Sequence, residues 1–306
     1  MKELILLVFL TSLFFNACDK NNESSNKEYR IVSELNSGIY KFDYVYDNNQ
    51  IVQLIRQIES NDEVWEEDYQ VDFYYDNNRI FSIGSFITAD GLMQDRKWSA
   101  TFNEGRIVEE KVSYYISEEW VPDNKYSYVY DNDKLNTATK YYYNSGGEAY
   151  PYYRYECHYT DELLSEYYKV YYEDGQWVTD QKTECSYSGG HISQMIKYDS
   201  LNEELFPLTK NEYDHSNGKI AQINYFLREA GDWNLEGYDQ YDYDAQGCLS
   251  EFSTTGQTIQ YEYEEGEGNI EQFFYTPLGL LWPNPQVSKK QEEESFFINR
   301  LLKIAL

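Results

Sequence analysis

Positive charge is scarce in this chain, and that scarcity limits what the protein can bind. The sequence has 25 lysine and arginine residues against 54 aspartate and glutamate residues, which leaves a formal net charge of -29. Such a surface repels nucleic acid and anionic membranes, so neither is expected as a partner. Cationic ligands, Ca²⁺ and neutral sugars remain compatible with it, as does the plainer interpretation that the charge keeps an exposed protein soluble.

Catalytic motifs are also missing. The three histidines, His158, His191 and His215, fall at unrelated positions, and the sequence has no Cys-x-x-Cys, Gly-x-Ser-x-Gly or phosphate-binding glycine loop. The sequence therefore predicts no enzyme, no cofactor and no metal centre. Carboxylates are abundant enough that a glycoside hydrolase-like pair stays open as an alternative.

Long hydrophobic runs are scarce, and the one at the start is short. A nearly unbroken apolar run from Leu4 to Phe15 follows Lys2, and about a dozen residues cannot span a bilayer as a permanent helix. The run is typical of a secretory signal. It ends in Phe15-Asn16-Ala17-Cys18, which resembles the lipobox of bacterial lipoproteins. The resemblance implies cleavage after residue 17 and a lipid on the sulfur of Cys18.

Residues 1–17 are therefore predicted to be a lipoprotein signal peptide. Residues 18–28, which are polar after the cysteine, are predicted to be a disordered tether. The predicted location is the outer membrane or the cell surface, with the lipid as the only contact with the membrane. An ordinary signal peptide that is cut near Ala17 is the alternative.

Aromatic residues, by contrast, are plentiful, and 34 Tyr, 15 Phe and 6 Trp favour strands. They also mark a repeat, in which an aromatic residue precedes a polar turn and then an apolar residue. We call this aromatic residue the anchor. Nine anchors recur at intervals of 26 to 30 residues, with a last step of 20: Tyr46, Tyr75, Phe102, Tyr130, Tyr159, Tyr187, Tyr213, Tyr243 and Tyr263.

Four tryptophans support this alignment, because each lies ten residues before an anchor: Trp65, Trp120, Trp177 and Trp233. Each unit thus predicts an outgoing strand, a polar turn, a returning strand that begins near the tryptophan, and a tight turn. Aspartates supply the chemistry of the tight turns: Asp47, Asp76, Asp131, Asp214 and Asp244. Calcium binding is the alternative for these turns, but none of them has the six oxygens and the following bidentate glutamate of a calcium loop.

Alternation along the strands predicts one buried and one wet face, as in an antiparallel sheet. The residues that precede each anchor in steps of two are aromatic, for example Tyr128 and Tyr126 before Tyr130. The opposite face is charged. Five cations stand five residues before their anchors, and three of them have an acid two residues further on, which predicts solvated ion pairs: Lys41, Lys97, Lys125, Arg154 and Lys182. A basic binding groove is the alternative for these cations.

The turns "YDNNRI", "FNEGRI" and "YDAQGCL" resemble the motif of the YD-repeat (Rhs-like) family, and the resemblance covers residues from about 40 to 275. It implies a long curled sheet of β-hairpins. Large members of that family use the sheet as a shell around a toxin, but no toxin-sized segment follows "TPLGL" at residues 276–280 here. That function therefore does not carry over.

The predicted fold is all-β: a repetitive antiparallel β-hairpin array over residues 29–275, forming an elongated, twisted and curled sheet. Residues 276–306 are predicted to be a C-terminal cap. A β-solenoid is the alternative, and Cys157 and Cys185 discriminate between the two. Both stand two residues before an anchor, so in a hairpin array they lie two strands apart, about 9.6 Å, which is too far for a disulfide.

The function predicted from these features is a lipid-anchored surface protein that binds a glycan or another protein. Aromatic rings stack on sugars and anchor interfaces, so Trp65, Trp120, Trp177 and Trp233 are the candidate binding residues. A scaffold or spacer without a ligand is the first alternative, and a hydrolase is the second.

Overall fold

The computed structural model describes residues 29–36, 40–59, 64–76, 78–132, 134–201, 204–254 and 258–265. The predicted signal peptide, tether, Cys18 and C-terminal cap lie outside the described residues. Eighteen strands follow one another in chain order: β1 Tyr29–Asn36, β2 Tyr40–Asp47, β3 Gln50–Glu59, β4 Trp65–Asp76, β5 Arg79–Thr88, β6 Gly91–Asn103, β7 Arg106–Ile116, β8 Glu119–Asp131, β9 Lys134–Tyr143, β10 Ala149–Thr160, β11 Leu163–Glu173, β12 Gln176–Ser188, β13 His191–Leu201, β14 Glu204–Ser216, β15 Lys219–Glu229, β16 Asp232–Tyr243, β17 Leu249–Ser253 and β18 Thr258–Glu265.

The eighteen strands belong to one sheet, and its first and last strands meet. Strands that are consecutive in the chain pair with each other, and β1 pairs antiparallel with both β2 and β18. Tyr29 stands opposite Glu265, and Asn36 stands opposite Ile259. A sheet whose first and last strands pair has no free edge, so the fold is a closed antiparallel β-barrel.

Two expectations about the architecture are therefore wrong. The sheet is not an open, elongated and curled array, because β18 pairs with β1 instead of forming an edge. It is not a solenoid either, because consecutive strands run antiparallel. Twist accumulates from strand to strand, and a sheet of this many strands must curl or fold over. Closure also removes the two unpaired edges that an open sheet would expose.

Hairpin turns alternate between the two ends of the strands. The anchor end carries the turns that follow the anchors, such as Asn48-Asn49, and the tryptophan end carries the turns that precede the tryptophans, such as Ser117-Glu118. All four residues have positive φ angles, as the tightest hairpin turns require. β1 begins at the anchor end, because it runs antiparallel to β2, which ends there.

The described chain divides into two compact units, each with its own core. The first contains β1 to β5, the start of β6, and β17 and β18, and the second contains the rest of β6, β7 to β15 and most of β16. The predicted aromatic face supplies both cores. Its buried members include Tyr69 and Phe73 in the first unit and Tyr126, Tyr128 and Tyr155 in the second. Complete burial of a side chain of this size stabilises the fold by about 1.5–3 kcal/mol.

A hydrogen bond from the anchor ring joins successive hairpins. Across several tight turns the anchor faces a buried Ile or Leu, as Tyr130 faces Leu135 and Tyr159 faces Leu164. In four places the hydroxyl of an anchor donates to the carbonyl of the aliphatic residue in the preceding repeat. These bonds join Tyr75 to Ile51 (2.7 Å), Tyr130 to Ile107 (3.0 Å), Tyr159 to Leu135 (3.1 Å) and Tyr187 to Leu164 (3.0 Å).

The repeat alignment is wrong by two residues at one anchor. His215, not Tyr213, faces a buried aliphatic residue, Ile220, immediately after the bulge that precedes this position in other repeats. The turn is Asn217-Gly218, and Tyr213 is buried two residues earlier. With His215 as the anchor, the intervals on both sides become 28 residues. Tyr213-Asp214 has the same tyrosine–aspartate pair as Tyr46-Asp47, Tyr75-Asp76 and Tyr130-Asp131, which explains the incorrect assignment.

Cys157 and Cys185 are free thiols on β10 and β12, which confirms the prediction that they do not bridge. Strand β11 separates them, and its Tyr167 stands opposite Cys157. Burial raises the pKa of both thiols, so they pack as small apolar groups and are poor nucleophiles.

In the part of the chain that the structure describes, no helix is long and apolar enough to cross a membrane.

Tyr159→Phe is expected to lower the free energy of unfolding by about 0.5–1.5 kcal/mol, because the ring stays while the Leu135 carbonyl loses its donor. Urea denaturation measures this change. Tyr238→Phe is the control, because its ring is exposed, and its effect should stay within about 0.5 kcal/mol. Equal stability of the two variants would contradict the role given to the anchor hydroxyl.

Candidate binding surface

The four candidate tryptophans all begin a strand at the tryptophan end, where each is half-buried. Their partners across the hairpin are Glu59 for Trp65, Tyr115 for Trp120, Tyr172 for Trp177 and Arg228 for Trp233. The structure thus places the tryptophans at equivalent positions of every second hairpin, at the start of β4, β8, β12 and β16.

Neighbouring side chains already cover part of three of these indole rings. The centroid of Trp120 lies 5.0 Å from that of Tyr115, and the centroid of Trp177 lies 5.1 Å from that of Tyr172. The guanidinium of Arg154 lies 4.4 Å from the Trp177 centroid. Lys210 and Arg228 lie 5.4 and 5.6 Å from the Trp233 centroid. A flat sugar ring would have to displace these cations to stack on the indoles.

The charged face carries the predicted ion pairs. Lys41 lies 3.0 Å from Asp43, Lys182 lies 2.8 Å from Glu184, and Arg154 pairs with Glu156. The corrected anchor at His215 adds Lys210, five residues earlier, whose ammonium lies 2.6 Å from Glu212. These four cations are paired with acids on their own strands, and Lys125 lies 3.5 Å from Glu109 on the neighbouring strand β7. The paired cations do not form the basic binding groove that is the alternative interpretation of these residues.

The ion pair between Lys182 and Glu184 changes the pKa of both side chains. Burial opposes the charge of this lysine, but hydrogen bonds to Glu166 and Glu184 outweigh burial and raise its pKa. Hydrogen bonds from Lys182 and Tyr198 lower the pKa of Glu184. Both groups stay charged over a wide pH range, although such partly exposed pairs contribute little to stability.

Several large apolar side chains are exposed to solvent at the tryptophan end of the second unit. Leu201 is 63% exposed, Leu235 is 57% exposed, Ile116 is 54% exposed and Val178 is 49% exposed. Tyr150, Tyr152, Tyr172, Val121, Leu205 and Phe206 are also exposed there. We call these ten residues the tryptophan-end rim. Grouped apolar exposure of this kind marks an interaction surface. Reading the sequence for tryptophans alone missed the aliphatic residues beside them.

The turn aspartates occupy the anchor end, with one exception. Asp47, Asp76 and Asp131 each end a strand before a tight turn. Asp244 holds its turn directly, because its carboxylate accepts hydrogen bonds from the backbone N–H groups of Gln246 (2.9 Å) and Cys248 (2.8 Å). Asp214 was wrongly assigned to a turn. It lies within β14 opposite Gln222, because the anchor of that repeat is His215.

These aspartates do not converge on a cation site. Among the residues that the structure describes, no three His, Cys, Asp or Glu side chains are grouped so that they could hold a metal ion.

A polar cluster inside the second unit was not found from the sequence. Lys140 and Lys169 are buried on the aromatic face, and their ammonium groups lie 5.7 and 5.0 Å from the centroid of Tyr153. Glu110 is also buried and accepts a hydrogen bond from Tyr128. The sequence does contain a signal for Lys140. Residues two apart in a strand share a face, and Lys140 stands two residues after the buried Ala138 in β9.

Asp239 is the buried acid with the most altered titration. It is 2% exposed, its carboxylate accepts a hydrogen bond from the Tyr225 hydroxyl, and its Oδ1 has no hydrogen-bond partner among the described residues. Burial raises the pKa of Asp239 to about 6, against the opposing effect of the Tyr225 hydrogen bond. The charged form is therefore disfavoured in the folded chain.

Comparisons with known proteins show no family for this chain. No family model matches the sequence, and neither does any curated protein. The YD-repeat resemblance therefore remains an interpretation.

Solved structures with some likeness include porin-like proteins from Bacteroides uniformis and Bacteroides vulgatus. The first is 13% identical, with a TM-score of 0.38, over 79% of this chain and 94% of that chain. The second is 9% identical, with a TM-score of 0.37, over 76% and 97%. The TcdB2-TccC3 structure is 8% identical, with a TM-score of 0.33, over 70% of this chain and 13% of that one. Likenesses this low carry no functional argument, and the closure of the barrel rests on its own strand pairing.

Asp239→Asn is expected to stabilise the protein by about 1–3 kcal/mol at neutral pH. The folded pKa of about 6 lies above the ordinary value of 3.8, so the acid destabilises the fold increasingly as pH rises from about 4 to 6. The asparagine can still accept the Tyr225 hydrogen bond. Thermal unfolding from pH 3.5 to 7.5 should show the two proteins converging below about pH 4.

Asp232→Asn is the matched control, because Asp232 is exposed at the start of β16. It should leave stability nearly unchanged across the same range. A difference between Asp239→Asn and the natural protein that does not depend on pH would contradict the assigned burial effect.

Proposed function

We propose that this protein is an exported β-barrel, anchored by a lipid on Cys18 at the outer membrane or cell surface, that acts as a binding or adhesion module for a macromolecule. The observation that carries the proposal is the tryptophan-end rim, which exposes ten large apolar side chains at the turns of consecutive hairpins. The proposed role is binding, and no catalytic role is proposed.

The polarity of the barrel supports a lipid anchor rather than insertion into the bilayer. A membrane-spanning barrel presents an apolar band to lipid and a polar lumen. Here the rings lie on the buried face, and the exposed face carries ion pairs such as Lys182–Glu184 and Lys210–Glu212. Placing charged side chains of the outer face in the hydrocarbon of a bilayer would raise the free energy of the protein, so we expect the outer face of the barrel to contact water.

The path of the chain supports an outward orientation of the tryptophan end. In the first unit, β1 begins at the anchor end, so the tether that precedes Tyr29 would leave from there. Val64, Leu92 and Met93, three exposed apolar residues of this unit, lie at the opposite, tryptophan end. A lipid on Cys18 would therefore hold the anchor end of this unit toward the membrane.

A scaffold or spacer remains the second candidate. The observation that favours it is that cations of the charged face, such as Lys41, Lys182 and Lys210, pair with acids on their own strands. Paired cations of this kind offer little free positive charge to a ligand. The tryptophan-end rim is the feature that favours the binding module over the scaffold.

Production of the full chain in a bacterium that matures lipoproteins, with a labelled fatty acid, tests the anchor. The natural protein should carry the label on Cys18 and sediment with the membrane. Cys18→Ser should lose both properties, while Cys157→Ser should keep them, because Cys157 is buried in the barrel. A mature N-terminus without acyl groups, or Cys18 joined to another cysteine, would contradict the proposed anchor.

The binding role is tested with the same cells. Screens of glycans and purified surface proteins against cells that display the protein should yield a ligand, whose binding is lost on cells that lack it. A lipidated, displayed protein that retains none of these ligands would favour the scaffold instead.

A further inference from the structure

The tryptophan-end rim surrounds five consecutive turns of the second unit. These turns join β7 to β8, β9 to β10, β11 to β12, β13 to β14, and β15 to β16. Equivalent turns of neighbouring hairpins are two strands apart, roughly 9–10 Å, so the exposed side chains recur at this spacing along the row of turns. At the anchor end of the same unit the comparable exposed aliphatic residue is Val129, at 54%. The apolar character therefore belongs to one end of the hairpins and is not a general property of the strands.

Acidic residues stand among these apolar side chains. Glu118, Glu173, Asp174, Glu204 and Asp232 are all exposed in or beside the five turns. Arg228, a basic residue beside these turns, is already engaged, because its guanidinium stacks over Trp233 and donates a hydrogen bond to the Gly231 carbonyl at 3.3 Å. The rim is thus both apolar and negatively charged.

We infer that the tryptophan-end rim docks a protein surface that is basic and amphipathic, with lysine or arginine side chains beside exposed apolar ones. This inference rests on the proposed binding function and names the partner class. The acids of the rim attract such a partner over distance, and the apolar side chains supply the contact area.

The same observations argue against the other occupants. A second copy of this chain would bring the same acidic rim and a net charge of -29, so the two rims would repel. A neutral glycan that stacks on the candidate tryptophans would have to displace neighbouring side chains, because Tyr172 and Arg154 pack against Trp177 and Lys210 lies over Trp233. Nucleic acid and anionic membranes carry the wrong charge.

Model peptides test this partner chemistry. The probe is an amphipathic helical peptide of lysine and leucine, about 18 residues and roughly 27 Å long, which can cross several turns. A glutamate–leucine peptide of the same pattern and a neutral oligosaccharide are the comparison ligands. The lysine peptide should bind the natural protein in a titration and bind more weakly at high salt, while the glutamate peptide and the sugar should not bind.

The double variant Val178→Lys with Leu235→Lys places like charge on the rim at two exposed sites. It should weaken binding of the lysine peptide by about tenfold or more. Val129→Lys is the matched control, because it adds the same charge at an equally exposed residue of the anchor end, and it should change the affinity less than about twofold. Circular dichroism and the melting temperature check that both variants fold.

Three results would overturn the inference: no binding of the lysine peptide, equal binding of the glutamate peptide, or equal loss of affinity in the control. These outcomes are separable from failure of the proposed function. A lipidated, displayed protein that binds a glycan but not the lysine peptide would leave the binding function in place and remove only this partner.

Discussion

Each strand of this chain carries rings on one face and charges on the other, and the sheet must bury the first while it exposes the second. Tyr126, Tyr128 and Tyr155 lie in the core of the second unit, whereas Lys182 and its acidic neighbours lie on the exposed face. An open sheet of eighteen strands would leave part of the aromatic face and two strand edges in water. Pairing of β1 with β18 removes the edges and encloses the rings, so closure satisfies both requirements.

The anchors make this arrangement repeatable. Several anchors face a buried aliphatic residue across the turn, as Tyr159 faces Leu164. In four repeats the anchor hydroxyl also donates to the carbonyl of the aliphatic residue in the preceding repeat, as Tyr159 donates to Leu135. His215 replaces tyrosine in this role, and its ring lies 5.2 Å from that of His191. The repeat therefore tolerates a change of side chain at the anchor as long as the turn and the aliphatic partner remain. The repeated residues stabilise the fold, so we expect binding to involve the turns and the tryptophan-end rim, where the repeats differ.

The local features were predictable because they depend on neighbouring residues. Alternation identified the aromatic face, and turn chemistry located most of the hairpins. Closure was not predictable, because it depends on twist summed over the whole sheet and on pairing between residues as distant as Tyr29 and Glu265. His215 was missed because the other anchors are Tyr or Phe, and Tyr213-Asp214 two residues earlier has the tyrosine–aspartate pair of several other repeats. The apolar rim was missed because residues such as Leu201 and Leu235 look like core residues until the strand ends are known.

The most direct test of closure is a disulfide between the first and last strands. Leu35 and Gln260 are opposite partners across β1 and β18, and facing residues of an antiparallel pair are close enough for a disulfide. The double variant Leu35→Cys with Gln260→Cys should form this bond nearly completely under mild oxidation, as seen by mass spectrometry of its peptides. The control pairs Leu35→Cys with Glu251→Cys, one strand further away, and should form little. No more cross-linking in the Gln260 variant than in the control would contradict a closed barrel.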